Sequence, residues 1–177
     1  ARARHVIGLG LGDALAYAVP DLPASGHDRM VERYRHHFLA RDADLPLFAG
    51  TRELLDSLQL RGHRLAIATG KSRAGLARAL KHLALENVFD ATRCADQCAS
   101  KPAPDMLIEL MDELAADRTR TLMIGDTAHD LGMAANAGVA AIAVGYGAHP
   151  PEQLEALAPL ALAMSTAELA TWLREHA

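Results

Sequence analysis

The 177 residues include two cysteines, too few for a disulfide framework. Cys94 and Cys98 read as reduced thiols of a cytosolic protein, and no His/Cys pair at zinc-like spacing accompanies their C-x-x-x-C. Basic residues are not in excess: 18 Lys and Arg face 22 Asp and Glu, a net charge of −4. That balance argues against a nucleic-acid or anionic-membrane surface. No run of eighteen apolar residues is present, and the richest tract, from Leu154 to Leu173, is broken by Pro159, Ser165, Thr166 and Glu168. No signal peptide follows Ala1 to Arg4, so a cytoplasmic location is expected. What remains is half hydrophobic and 23% charged, enough to bury a core.

The first fifty residues hold no lysine and no convincing strand. Gly12 to Val19 reads as a short helix stopped at Pro20, and Asp21 to Gly26 as a turn-rich link. Met30, Val31, Tyr34, Phe38 and Leu39 lie at helical spacing, which predicts a helix over 27–41. After Gly50 strands and helices alternate. Strands are expected at Arg64 to Thr69, Val88 to Arg93, Thr121 to Gly125, Val139 to Val144 and Leu160 to Met164. Helices are expected at Thr51 to Leu60, with Thr51 as N-cap, and at Ser72 to Leu83, Pro104 to Ala115, His129 to Ala137, Pro151 to Leu157 and Ala167 to His176. Apolar strands separated by helices predict an α/β fold, a parallel sheet covered on both faces.

Ligands of such sheets bind beyond the carboxyl ends of the strands. Three loops there carry chemistry. Thr69-Gly70-Lys71-Ser72 joins a hydroxyl and a glycine to a helix N-terminus, which favours an anion. Ser100 to Asp105 places Lys101 between backbone-stiffening prolines. Asp126 and Asp130, four apart at a helix start, can share one face, where a hard divalent cation such as Mg²⁺ would relieve their repulsion. Each loop alone also has a plain reading: a capped turn, a solvated lysine, and a carboxylate cap with a dipole partner. Together they describe a site for a Mg²⁺-bound phosphate.

Ala68 to Ser72, Lys101 to Met106, and Met123 to Asp130 followed by Ala134-Ala-Asn-Ala-Gly138 resemble motifs two, three and four of the haloacid dehalogenase superfamily. The phosphoglycolate-phosphatase-like branch with a helical cap is the most similar. The resemblance implies a Rossmann-like core over 46–177 and part of a helical cap over 1–45. It implies that Thr69 and Lys101 hold phosphoryl oxygens, with the Gly70 amide, and that Asp126 and Asp130 hold Mg²⁺ directly or through water. The implied activity is hydrolysis of a small phosphomonoester, such as 2-phosphoglycolate, through an aspartyl-phosphate. The partner would be a small phosphorylated metabolite, not nucleic acid or membrane, and the protein a monomer or homodimer. Dehalogenases of this superfamily lack the Gly-Asp-Thr-x-x-Asp form of the fourth motif. Its phosphonate-cleaving members use a cap lysine, whereas the first lysine here is Lys71. A sugar-phosphate mutase remains an alternative.

The family's first motif, an Asp-x-Asp pair after a buried strand that supplies the nucleophile, has no counterpart upstream of residue 5. The chain is therefore expected to begin inside the cap. If it is the whole molecule, a catalytically incomplete phosphate- or metal-binding protein is the alternative. The strands at 64–69 and 121–125 should then lie two strand spacings apart, roughly 9 to 10 Å, with no strand from residues 1–177 between them. Asp42-Ala43-Asp44 has the right spelling, but it follows a helical pattern and precedes Pro46, so it reads as a solvated hinge. Gly8-x-Gly10-x-Gly12 follows no strand and is discounted as a dinucleotide loop, although a glycine-rich cap loop over the substrate is compatible with it.

Overall fold

A computed structural model describes residues 2–39 and 46–177. Asp42 and Asp44 lie outside the described residues. Three helices come first: α1 (Arg2–His5), α2 (Leu11–Ala18) and α3 (Ala24–Leu39). The α/β part follows in the order α4 (Thr51–Leu60), β1 (Ala66–Thr69), α5 (Arg73–His82), β2 (Ala91–Cys94), α6 (Asp105–Glu113), β3 (Leu122–Gly125), α7 (Ala128–Ala137), β4 (Ala140–Val144), α8 (Pro151–Glu155), β5 (Ala161–Ala163) and α9 (Thr166–His176). No described helix is long and apolar enough to cross a membrane.

Local chemistry sets most helix ends. Ser72 caps α5 by accepting from the Gly75 amide, and Gly138 closes α7 at φ 68°, a conformation that costs a residue without Cβ little. The expected cap at Thr51 is corrected. Gly50 occupies the N-cap of α4 at φ 79° with no side-chain cap bond, and Thr51 is the first helical residue. The second strand also begins later than expected, at Ala91, because Asp90 instead donates its amide to the Leu65 carbonyl and accepts the Leu65 amide on its side chain.

All strand pairs among the described residues are parallel, as expected of apolar strands joined by helices. They form two sheets, β1-β2 and β3-β4-β5, with Ala66 opposite Ala91, Leu122 opposite Ala140 and Ile142 opposite Ala161. The two sheets share their covering layers. On one face Leu65 and Leu122 pack against a core of Leu58, Ile142, Leu169 and Leu173 from α4, β4 and α9. On the other Ala68 and Met123 pack against Met106, Met133 and Ala134 from α6 and α7. Successive strand residues point to opposite faces. The sheets thus read as two parts of one layered α/β core. β1 and β3 belong to different sheets, and no described strand pairs with both. Ile124 of β3 is 37% exposed.

Candidate active site

The carboxyl ends of β1, β2 and β3 lead into the three loops singled out above. At the end of β1, Thr69 Oγ1 accepts the Lys71 amide at 3.1 Å, which tightens the turn into α5. A Cβ on Gly70 would lie 2.5 Å from the Leu9 carbonyl oxygen and 2.6 Å from that of Gly8. Only glycine admits that approach. The Gly8–Gly10 loop also meets the other two strand-end loops. The Gly10 amide donates to Ser100 Oγ at 3.1 Å, and Gly8, at φ 98°, lies against Thr127. The glycines therefore let the backbone between α1 and α2 settle over all three loops.

Lys101 is 6% exposed, unusual for lysine, which is almost never buried without a partner. Its Nζ donates to the Ala68 carbonyl at 2.8 Å and to Asp130 Oδ1 at 2.6 Å. The ion pair is buried on both sides. One cation thus ties the end of β1 to the start of α7.

The two acidic residues of the third loop do not play equal parts. Asp130 Oδ2 accepts the Thr127 amide at 3.1 Å and the Thr127 hydroxyl at 2.7 Å, while Thr127 Oγ1 accepts the Asp130 amide. This is a reciprocal capping box, with Thr127 as N-cap and Asp130 at the third helical position. The plain alternative of Asp126 as the cap is thereby corrected to Thr127. Both Asp130 oxygens are engaged, one by Lys101 and one by Thr127. Asp126 is half-buried; its Oδ2 accepts the Ala148 amide at 2.8 Å. No hydrogen bond to Oδ1 occurs among the described residues.

The residues after β4 were missed by sequence reasoning. The His149 amide donates to the Asp126 carbonyl at 3.1 Å, and His149 Nδ1 accepts the Ala128 amide at 3.0 Å. His149 is 2% exposed, and its Nε2 has no partner among the described residues. Burial, reinforced by the neighbouring His129, pushes the His149 pKa below its ordinary 6.5. Its ring stands 5.4 Å from that of His129 and 6.0 Å from that of His5. His129 Nε2 in turn donates to the His5 carbonyl at 2.6 Å, so the end of α1 docks beside the Asp126 loop. The spacing Thr-x-x-Asp carried a local signal for the capping box that the reading of Asp126 as cap passed over; His149 carries none, since its partners lie more than twenty residues away.

The cysteines stay outside these contacts. Both are free; Cys94 is fully buried in β2 and Cys98 partly so, and burial raises the pKa of each thiol. Among the described residues no group of three His, Cys, Asp or Glu could hold a metal ion. Replacing both cysteines by serine is expected to leave metal content and turnover unchanged. Loss of bound zinc on elemental analysis would contradict this. In the folded protein a thiol reagent should modify Cys98 well before Cys94.

The model of the haloacid dehalogenase-like hydrolases matches residues 1–144. A protein of Dickeya dadantii named "Probable phosphatase IndB" is 39% identical over 162 residues, 88% of this chain and 70% of its own length. A phosphoglycolate phosphatase of Rhodospirillum rubrum is 31% identical over 174 residues, covering 94% of this chain and 72% of its own. The chain spans 64% of the length of two further relatives, a pyrophosphatase and another phosphoglycolate phosphatase. Among solved structures, a hydrolase from Pseudomonas syringae superposes with a TM-score of 0.89 at 22% identity, over 99% of this chain and 82% of that one, a likeness of fold. The glycine-dependent loops, the buried lysine and the Gly-Asp-Thr-x-x-Asp turn thus occur in a chain whose fold and sequence agree: it belongs to the haloacid dehalogenase-like hydrolase family, and phosphoglycolate phosphatases are among its relatives.

Proposed function

We propose that this chain carries the phosphate- and metal-binding part of a Mg²⁺-dependent hydrolase acting on a small phosphomonoester, of which 2-phosphoglycolate is the leading candidate. The observation that carries this reading is Lys101, a buried cation held by Ala68 at the end of β1 and by Asp130 at the start of α7. A cation fixed in low dielectric is already oriented when charge develops on a transferring phosphoryl group. Thr69 and the Gly70 amide stand at the same strand-end face, at the start of α5, and would receive further phosphoryl oxygens. The names of the relatives, phosphatases among them, support the same class of substrate.

The residues present fit Mg²⁺ in a particular way. Asp126 offers a hard oxygen, Oδ1, that no described residue occupies, while Oδ2 is anchored on Ala148. Mg²⁺ commonly takes one or two carboxylates and keeps several waters. Asp126 would bind directly. Asp130, with both oxygens engaged, would act through water and by holding Lys101. When bound, the ion would neutralise phosphoryl charge. In the mechanism the resemblance implies, a carboxylate attacks phosphorus in line, the ester oxygen leaves with a proton, and water then cleaves the aspartyl-phosphate. No described residue takes the attacking role. The Gly8–Gly10 loop would exclude water and face the leaving group.

The test is a panel of phosphomonoesters with and without Mg²⁺, run beside calorimetry with inorganic phosphate. Metal-dependent release of phosphate is expected. Phosphate binding that depends on Lys101, without turnover, would favour the catalytically incomplete reading. Neither turnover nor phosphate binding would overturn the proposal.

A further inference from the structure

We propose that His149 is a positioning residue for Asp126, fixing the direction of its free carboxylate oxygen. This rests on the metal role proposed for Asp126. Three hydrogen bonds join the segment after β4 to the loop after β3. The Ala148 amide donates to Asp126 Oδ2, the His149 amide to the Asp126 carbonyl, and the Ala128 amide to His149 Nδ1. Residues 126 and 128 are therefore gripped from one side, at main chain and side chain together. The grip also selects a tautomer: Nδ1 accepts, so the neutral ring carries its proton on Nε2.

Packing closes the remaining freedom. A Cβ on Gly147 would collide with the Asp126 side chain, so the loop presses directly on the carboxylate. His149 packs against the rings of both His5 and His129, which also touch each other, and is 2% exposed. A buried ring bonded to the backbone beside a ligand does what an outer hydrogen-bond partner does in metal sites: it orients the ligand before the ion arrives.

The chemistry suggests a pair of variants. In His149→Asn the amide oxygen takes roughly the place of Nδ1 and still accepts from Ala128. In His149→Phe the ring volume stays and the acceptor is lost. The phenylalanine leaves the Ala128 amide without its acceptor and lowers thermal stability, so binding is compared well below the melting temperature of each variant. Mn²⁺ binding to the full protein, read by electron paramagnetic resonance without substrate, should weaken about tenfold in His149→Phe and stay within about twofold in His149→Asn. Gly147→Ala, which pushes on Asp126 from the same loop, should weaken it as well. Equal Mn²⁺ affinity in wild type, His149→Phe and Gly147→Ala would overturn the inference, and so would equal losses in His149→Phe and His149→Asn. If wild-type protein binds no Mn²⁺, or Asp126→Asn binds it as well as wild type, the metal reading of Asp126 itself has failed.

Discussion

Asp126→Asn is expected to lower Mg²⁺-dependent turnover by about a thousandfold, some 4 kcal/mol of transition-state stabilisation. The substitution keeps shape and an oxygen that can still accept from Ala148, so the bond that holds the residue survives. What disappears is the negative charge on the side of the carboxylate that no described residue occupies. Because Asp126 is only half-buried and leaves no ion partner stranded, its thermal unfolding should move by little. Steady-state kinetics across a Mg²⁺ titration, with circular dichroism melts on the same samples, would separate the two effects. Undiminished activity with an unchanged Mg²⁺ requirement would remove Asp126 from the metal site.

Lys101→Met should do the reverse in one respect: it should damage stability as well as turnover. The ammonium and the Asp130 carboxylate are 6% and 5% exposed and 2.6 Å apart. Removing one member of such a pair strands the other charge, at a cost of about 3–5 kcal/mol. For a chain of this size that corresponds to a fall in melting temperature of roughly 10 °C. The diagnostic comparison is Lys101→Met with Asp130→Asn added. The amide is uncharged and retains an oxygen for the Thr127 amide and hydroxyl, so the double variant should recover at least half of the lost stability. Phosphate affinity should not recover, since no cation returns. A single variant as stable as wild type would mean that the pair is not buried as described, and a double variant less stable than the single would mean that Asp130 serves chiefly as a cap.

The separate parts of this site were unequally legible. The helix after β1 and its Ser72 cap, the glycine that closes α7, and the order of the three strand-end loops follow from residues close in sequence, and each appears where expected. The N-cap of α4 did not. Thr51 has the right side chain, but Gly50 takes the left-handed conformation there and leaves the threonine inside the helix. The relation between Asp126 and Asp130 was read only in part. Spacing of four places two carboxylates near one helix start, yet a nearby hydroxyl at the cap position turns one of them back onto Thr127.

Short-range chemistry was enough for the class of fold, for the helix ends at Ser72 and Gly138, and for placing Thr69, Gly70, Lys101, Asp126 and Asp130 in the loops at the strand ends, because apolar periodicity, glycine conformation and proline stiffness act within a few residues. Which atoms those residues touch depended on the packed structure. Lys101 meets Asp130 across 29 residues and Ala68 across 33, Ser100 meets Gly10 across 90, and His149 meets Ala128 across 21. Such pairs exist only once the parallel strands are in register and α6 and α7 have closed over them. Burial then turns a contact into a constraint: away from water, a lysine must find its carboxylate, whereas the same two residues on an exposed surface would scarcely hold together.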